Sequence, residues 1–253
     1  MVRRRWVSLV GLVPAVVVAG CSQGGGGTRP ALPARQQPAP VVEAAPPPAP
    51  PPAPAAFTVA DAAVPSVAVY DDPSAPGARR SLPNPTLEGI PLSFLVRHHQ
   101  GEWLQVAVPV RPNGTTGWVK AADVGLRTVP NRLVVELGAR RLRAYHGDTV
   151  ILEEPVAIGA PATPSPIGDF YVDAVVKLDN PNGPYGAYQL SVAGFSEVLH
   201  SFGGGIGQIA VHGTNRPGAV GQAVSNGCLR MTNEAVTRLA DLAPVGTPVQ
   251  ILP

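Results

Sequence analysis

Two side chains in the sequence have the types and spacing for covalent chemistry. They are His212, at the end of the apolar run Ile209-Ala210-Val211, and Cys228, with fifteen residues between them. Cysteine attacks as a thiolate, and a free thiol with a pKa near 8.5 is only a few per cent ionised near neutral pH. An imidazole that takes the thiol proton and later hands it to a leaving amine removes that limit. The imidazole needs a partner for its second nitrogen. No Asp or Glu stands close in sequence, so the backbone carbonyl of Gly213 is the expected acceptor. Cys228 lies in Ser225-Asn226-Gly227-Cys228-Leu229-Arg230-Met231, just ahead of a predicted helix, where the dipole and free amides favour thiolate over thiol. The amides of Gly227 and Cys228 are the expected donors to a developing oxyanion.

The elements that must carry these residues read mostly as strands. Arg132–Leu137, Arg141–Tyr145, Val150–Leu152, Pro155–Ile158 and Asp169–Val172 are short apolar or alternating runs, several with the alternation of a sheet that has one solvated face. One helix is clear: Thr232 or Asn233 can cap it, Glu234 sits in its first turn, and Val236, Leu239 and Leu242 follow at helical spacing. Pro244 and Gly246 end it, and Val249–Leu252 returns as a final strand. Upstream, 57–127 is a second β-rich unit. Its runs Val67–Tyr70, Leu92–Val96 and Trp103–Val108 are bounded by Pro, Gly, Asn or Asp, and Asn113-Gly114 marks a hairpin turn. Trp103 and Trp118 are read as core of that unit rather than as a ligand platform.

The remainder of the chain reads as delivery. Arg3-Arg4-Arg5 and the apolar run from Trp6 to Ala19 have the form of an export signal, too short to span a bilayer comfortably. The run ends in Val18-Ala19-Gly20-Cys21, which resembles a lipoprotein cleavage site, so residues 1–20 are the expected signal peptide and Cys21 the expected acylated residue. From Ser22 to Ala56 there are 11 prolines in 35 residues and almost no large apolar side chain, the composition of a disordered spacer; the lipidated cysteine and spacer together span 21–56. Such a chain suits a domain in the cell envelope, lipid-anchored on the outer face of the cytoplasmic membrane or in the periplasm-like space. Cys21 and Cys228 are the only cysteines, so a lipidated Cys21 leaves Cys228 without an intramolecular disulfide partner. A net charge of +2, with no basic cluster interleaved with aromatics, argues against nucleic acid. No Cys/His/Asp spacing suggests a metal, and no cofactor is implied. His200, in Leu199-His200-Ser201-Phe202, is read as structural or pocket-lining, and the glycine run 203–207 as a flexible turn near the site.

Together His212-Gly213-Thr214, Ser225-Asn226-Gly227-Cys228-Leu229-Arg230-Met231 and the upstream Thr163-Pro164-Ser165-Pro166-Ile167-Gly168-Asp169-Phe170 resemble the signatures of the L,D-transpeptidase (YkuD-like) catalytic domain, over most of 130–253. The unit at 57–127 resembles a bacterial SH3-like barrel. The resemblance implies a mainly β protein: a small SH3-like β-barrel, then a β-sandwich-like catalytic domain with one clear helix. It also implies a peptidoglycan enzyme that forms 3→3 cross-links between stem peptides through a cysteine acyl-enzyme and is acylated by carbapenem-type β-lactams. Cys228 is then the nucleophile and His212 the general acid and base. Gly213, Gly227 and Asn226 serve the oxyanion or the orientation of the pair, and Arg230 and Ser225 serve the substrate. Asn226 stands where the family commonly has histidine, and a neutral amide still donates there. Two other outcomes use the same residues differently: an L,D-carboxypeptidase or endopeptidase, in which water takes the acyl group, and a non-enzymatic wall-binding lipoprotein.

Overall fold

The computed structural model describes residues 56–202 and 204–253. The signal run, Cys21 and the proline-rich spacer up to residue 55 lie outside the described residues.

In the first half β1 (Phe57–Ala62), β2 (Ser66–Val69), β3 (Arg80–Pro83), β4 (Ser93–Gln100), β5 (Trp103–Ala107), β6 (Thr116–Lys120) and β7 (Val124–Val129) follow one another. Five of them form an antiparallel sheet in the order β6-β5-β4-β1-β7. The β2–β3 hairpin leans on β6 through the bridge between Tyr70 and Trp118. Ala60, Val67, Phe94, Leu104, Val106 and Val119 fill the space between them, so the unit is a half-barrel around its own core. Strand alternation decides which residues enter that core. Leu104, Val106 and Val119 point inward, which puts Trp103 and Trp118 on the opposite, half-buried face. Trp103 meets Tyr70 edge-on at 5.0 Å and Trp118 meets His98 at 6.2 Å, so neither tryptophan is the core residue expected from sequence.

The second half runs β8 (Asn131–Glu136), β9 (Arg141–His146), β10 (Thr149–Pro155), β11 (Ile158–Gly159), β12 (Gly168–Lys177), β13 (Tyr188–Phe195), β14 (Gln208–His212), β15 (Ala223–Ser225), β16 (Leu229–Arg230), α1 (Asn233–Leu242) and β17 (Pro248–Leu252). Eight strands make one mixed sheet, β10-β9-β8-β17-β12-β13-β14-β16, and β11 pairs in parallel with β15. The parallel pairs β8–β17 and β14–β16 place the C-terminal strand in mid-sheet and the segment after Cys228 at the sheet edge. Leu133, Val172, Leu190, Val211, Leu229 and Ile251 from the sheet pack with Val236 and Leu239 of α1 into one core. The Thr232 hydroxyl caps α1 by accepting the Ala235 N–H at 3.2 Å. Asn233 does something else: its carbonyl oxygen accepts N–H groups of Ala187 and Thr214, and its amide donates to Pro181. The helix start thereby ties the 181–187 loop to the segment that follows His212.

The halves are joined by hydrogen bonds between residues far apart in sequence. The buried Tyr171 hydroxyl of β12 donates to the Ser93 carbonyl at 3.0 Å. Arg111, in the β5–β6 turn, donates to the carbonyls of Ser196 (2.7 Å), Leu199 (3.1 Å) and Ile206 (3.1 Å), and its guanidinium lies 5.0 Å from the Phe195 ring centre. Asn113 exchanges two hydrogen bonds with the backbone of Phe195, at 2.7 and 2.9 Å. Both ends of the β13–β14 loop are thus held by the half-barrel. The loop closes tightly on itself at Gly207, where φ is +75° and a Cβ would stand 1.9 Å from the Leu199 carbonyl oxygen.

Candidate active site

Val211 pairs with Leu229 and His212 with Arg230 in the parallel ladder. Residues two apart share a face of a strand. Ile209, Val211 and Leu229 face the core, so Ala210, His212, Cys228 and Arg230 are presented on the other side. His212 is 2% exposed, covered in part by the Tyr185 ring at 4.9 Å between centroids. Its Nδ1 lies 2.6 Å from the Gly213 carbonyl oxygen, which as an acceptor requires the proton on Nδ1 and leaves Nε2 as the basic nitrogen. Burial lowers the imidazole pKa to about 4; the Gly213 carbonyl pulls it back up and the Arg230 charge adds to the lowering. Burial likewise raises the Cys228 thiol, opposed by the Ala210 backbone and by Arg230. The resting pair is therefore neutral thiol and neutral imidazole.

The turn that carries the thiol is braced from behind. The Ser225 hydroxyl donates to the Cys228 carbonyl at 2.6 Å and accepts the Gly227 N–H at 3.1 Å. The Ser165 hydroxyl donates to the Gly227 carbonyl at 2.8 Å, and that of Thr163 to the Ser225 carbonyl at 2.9 Å. Gly227 has φ +111°, a conformation that L side chains rarely adopt, and the turn leaves Asn226 exposed while Cys228 lines a cavity. The cavity, about 360 Å³, lies between the two halves. Tyr185, Gln189, Gln208 and Cys228 line it from the second half, and Thr86, Glu88, Ile90–Ser93 and Pro109 from the first.

The sequence profile of the YkuD family, the L,D-transpeptidase catalytic domain, matches residues 130–251. A Bacillus licheniformis protein named as L,D-transpeptidase YkuD is 36% identical over 178 residues, covering 68% of this chain and 96% of its own length. Its Bacillus subtilis namesake is 38% identical over 124 residues, 49% of this chain and 67% of the relative. The chain belongs to the L,D-transpeptidase family. Among solved structures, L,D-transpeptidase 3 from Mycobacterium tuberculosis, in complex with a faropenem-derived adduct, is 14% identical, with a TM-score of 0.39, covering 55% of this chain and 73% of that one.

Within this L,D-transpeptidase fold several expected positions differ from the sequence reading. Ser225, expected at the substrate, is 1% exposed and both its hydrogen bonds go to the turn, so it braces the loop that carries Cys228. The Gly227 amide is spent on Ser225, which removes it as an oxyanion donor; the Cys228 N–H has no hydrogen-bond partner among the described residues. Asn226 does not line the cavity. Cys228 is not at a helix N-terminus either. The two residues of β16 intervene, α1 begins at Asn233, and Thr232 caps it, so burial outweighs any dipole. Arg230 pairs through its backbone with Ala157 at 2.8 and 2.9 Å, while its buried Nε has no hydrogen-bond partner. His200 is exposed outside the cavity. Tyr185, Asp173, Thr86 and Glu88 carry no signal in the sequence reading. The only signal for Thr163 and Ser165 was their place in the Thr-Pro-Ser-Pro run.

Proposed function

We propose that this L,D-transpeptidase forms 3→3 cross-links between peptidoglycan stem peptides, with Cys228 as nucleophile and His212 as general acid and base. The observation that carries the reading is the ladder register, which puts a buried, Nδ1-anchored imidazole and the thiol on one face of β14–β16 beside a cavity able to hold a peptide. His212 Nε2 takes the thiol proton as sulfur attacks the carbonyl carbon of the third stem residue. The Cys228 N–H stabilises the oxyanion, the bond to the terminal D-alanine breaks, and the imidazolium protonates the leaving amine. The side-chain amine of a second stem then attacks the thioester; its proton passes to His212 and on to the departing sulfur. Arg230, with its unpartnered Nε, suits a substrate carboxylate.

A β-lactam such as a carbapenem offers a strained amide in place of the peptide bond to the same thiol. Cys21 supplies the anchor in this reading, its acyl chains inserted in the membrane and the proline-rich spacer letting the enzyme reach the wall from the envelope side. Mass spectrometry after incubating residues 57–253 with tetrapeptide stems tests the activity: dimers with loss of D-alanine are expected, and trimmed monomers alone would make the enzyme a carboxypeptidase. Unchanged mass and membrane fractionation in Cys21→Ser would remove the anchor.

A further inference from the structure

Within β12, the register against β13 shifts between Val172, which packs in the core, and Ala174, and Asp173 stands at this irregularity with its side chain in the lining of the cavity that holds Cys228. Its Oδ2 accepts a hydrogen bond from Gln208 Nε2 at 2.6 Å, and the same amide nitrogen donates to the Val192 carbonyl at 3.0 Å, which fixes the pair. Oδ1 is sealed from bulk water and has no partner at ordinary hydrogen-bond geometry; the backbone amides of Asp173 and Ala174 point at the carboxyl and favour its charged form. No Lys or Arg among the described residues forms an ion pair with Asp173. The other charged side chain lining the cavity is also a carboxylate, Glu88, carried by the β3–β4 loop of the half-barrel. Neither lysine, arginine nor histidine lines the cavity.

An unpaired buried carboxylate facing a second carboxylate raises the free energy of the folded state until something positive enters. Burial and Glu88 both push the Asp173 carboxyl up, to about 6. The remaining polar lining, which includes Thr86, Ser93, Tyr185, Gln189, Ser191 and Gln208, offers neutral acceptors with no added charge. That set suits a compact cation with three N–H donors on a flexible apolar stem, which Ile90, Val176 and Ile206 can contact. A free carboxylate in the same place is repelled.

We propose that Asp173 and Glu88 form a recognition site for the primary ammonium of a stem-peptide diamino acid, so that the half-barrel takes part in choosing the substrate. The proposal rests on the transpeptidase reading above and assigns to it a chemical class of ligand and two residues. The ammonium can belong to the donor or to the acceptor stem, and kinetics separate the two.

The donor arm compares D-alanine release from a tetrapeptide with a free side-chain amine and from its N-acetylated form, in wild type, Asp173→Asn and Glu88→Gln. Free-amine preference of about tenfold or more in kcat/KM, cut to about twofold or less in both variants, is expected for a donor site. For an acceptor site the donor ratios match across the three proteins, and the KM of the amine acceptor rises about tenfold in both variants. Acylation by a penem without a basic side chain is measured in each variant to show that Cys228 and His212 are still assembled. Glu88 is at an exposed loop position, so Glu88→Gln keeps the test open if Asp173→Asn does not fold. Donor ratios and acceptor KM both unchanged in a folded variant overturn the ammonium site. Wild type that neither releases D-alanine nor takes up the penem overturns the transpeptidase reading itself.

Discussion

On the β14–β16 side of the cavity, Cys228 is set by a parallel ladder, by Ser225 three residues away, and by Ser165 and Thr163 from the same half of the chain. On the opposite side Thr86, Glu88 and Ile90 stand on a loop. The link from the half-barrel to the mouth of the cavity runs through Arg111 and Asn113, whose partners are more than eighty residues away. One wall holds His212 on β14 and Cys228 just ahead of the adjacent strand β16, in one half of the chain. The other brings cavity-facing groups to the same space by a few long-range hydrogen bonds. The first can fix a nucleophile to tenths of an ångström, and the second can change the ligand without disturbing it.

The sharpest break removes the first wall's chemistry. Cys228→Ala should abolish D-alanine release and β-lactam adduct formation, a loss of at least about 10⁴-fold, while the circular dichroism of the folded protein is kept. His212→Ala comes next: adduct formation at pH 7 should fall by about 10²- to 10⁴-fold and recover partly at alkaline pH, where hydroxide makes the thiolate unaided. In wild type the imidazole, lowered to about 4, is already the free base at pH 5 to 8. The acid limb of acylation should therefore fall near pH 4 instead of near 6.5, with no thiolate absorbance at neutral pH. A limb at 6.5 would mean that burial does not govern His212.

The second wall should give smaller effects of a different kind. Arg111→Ala frees three carbonyls at both ends of the 196–207 loop and should lower kcat/KM for stem peptides by about 10- to 100-fold. Arg111→Lys cannot donate to three divergent acceptors and should recover only part of this. If penem acylation fell as far as peptide turnover, the two walls would not be separable. Asp173→Asn tests stability. Its carboxyl is raised from 3.8 to about 6, so the native state binds the proton more tightly than the unfolded chain and folding is penalised as pH rises through that window. The variant should be more stable than wild type at pH 7 to 8, by at most about 3 kcal/mol, with the gain vanishing near pH 4 in thermal melts. Asn226→Ala should change turnover by less than about threefold, since the side chain is exposed outside the cavity; a tenfold loss would place it on the substrate.

Local pattern carried the first wall. His212-Gly213 and Ser225 to Met231 are contiguous, and the acceptor for Nδ1 is one residue away, so side-chain types and spacing were enough to point to His212, Gly213 and Cys228. Strand alternation and the cap at Thr232 were legible for the same reason. Burial direction was not. Trp103 and Trp118 lie on the face opposite Leu104 and Val119, and period two alone does not say which face is inside. Nor was β13, because Tyr188–Phe195 holds its place through pairing with β12 and β14.

What the sequence by itself determined is the candidate thiol and imidazole and most of the strands and the helix that carry them, because residue types, spacing and alternation are local properties of the chain. Tertiary structure decided the rest. It moved the Gly227 amide onto Ser225 and Asn226 into solvent, buried His212 and half-buried Cys228 in surroundings that favour their neutral forms, and brought Glu88 from the half-barrel to the cavity that Asp173 lines. The physical reason is that charge states and cavity walls are set by what is packed around a group, and here much of that packing comes from residues eighty or more positions away.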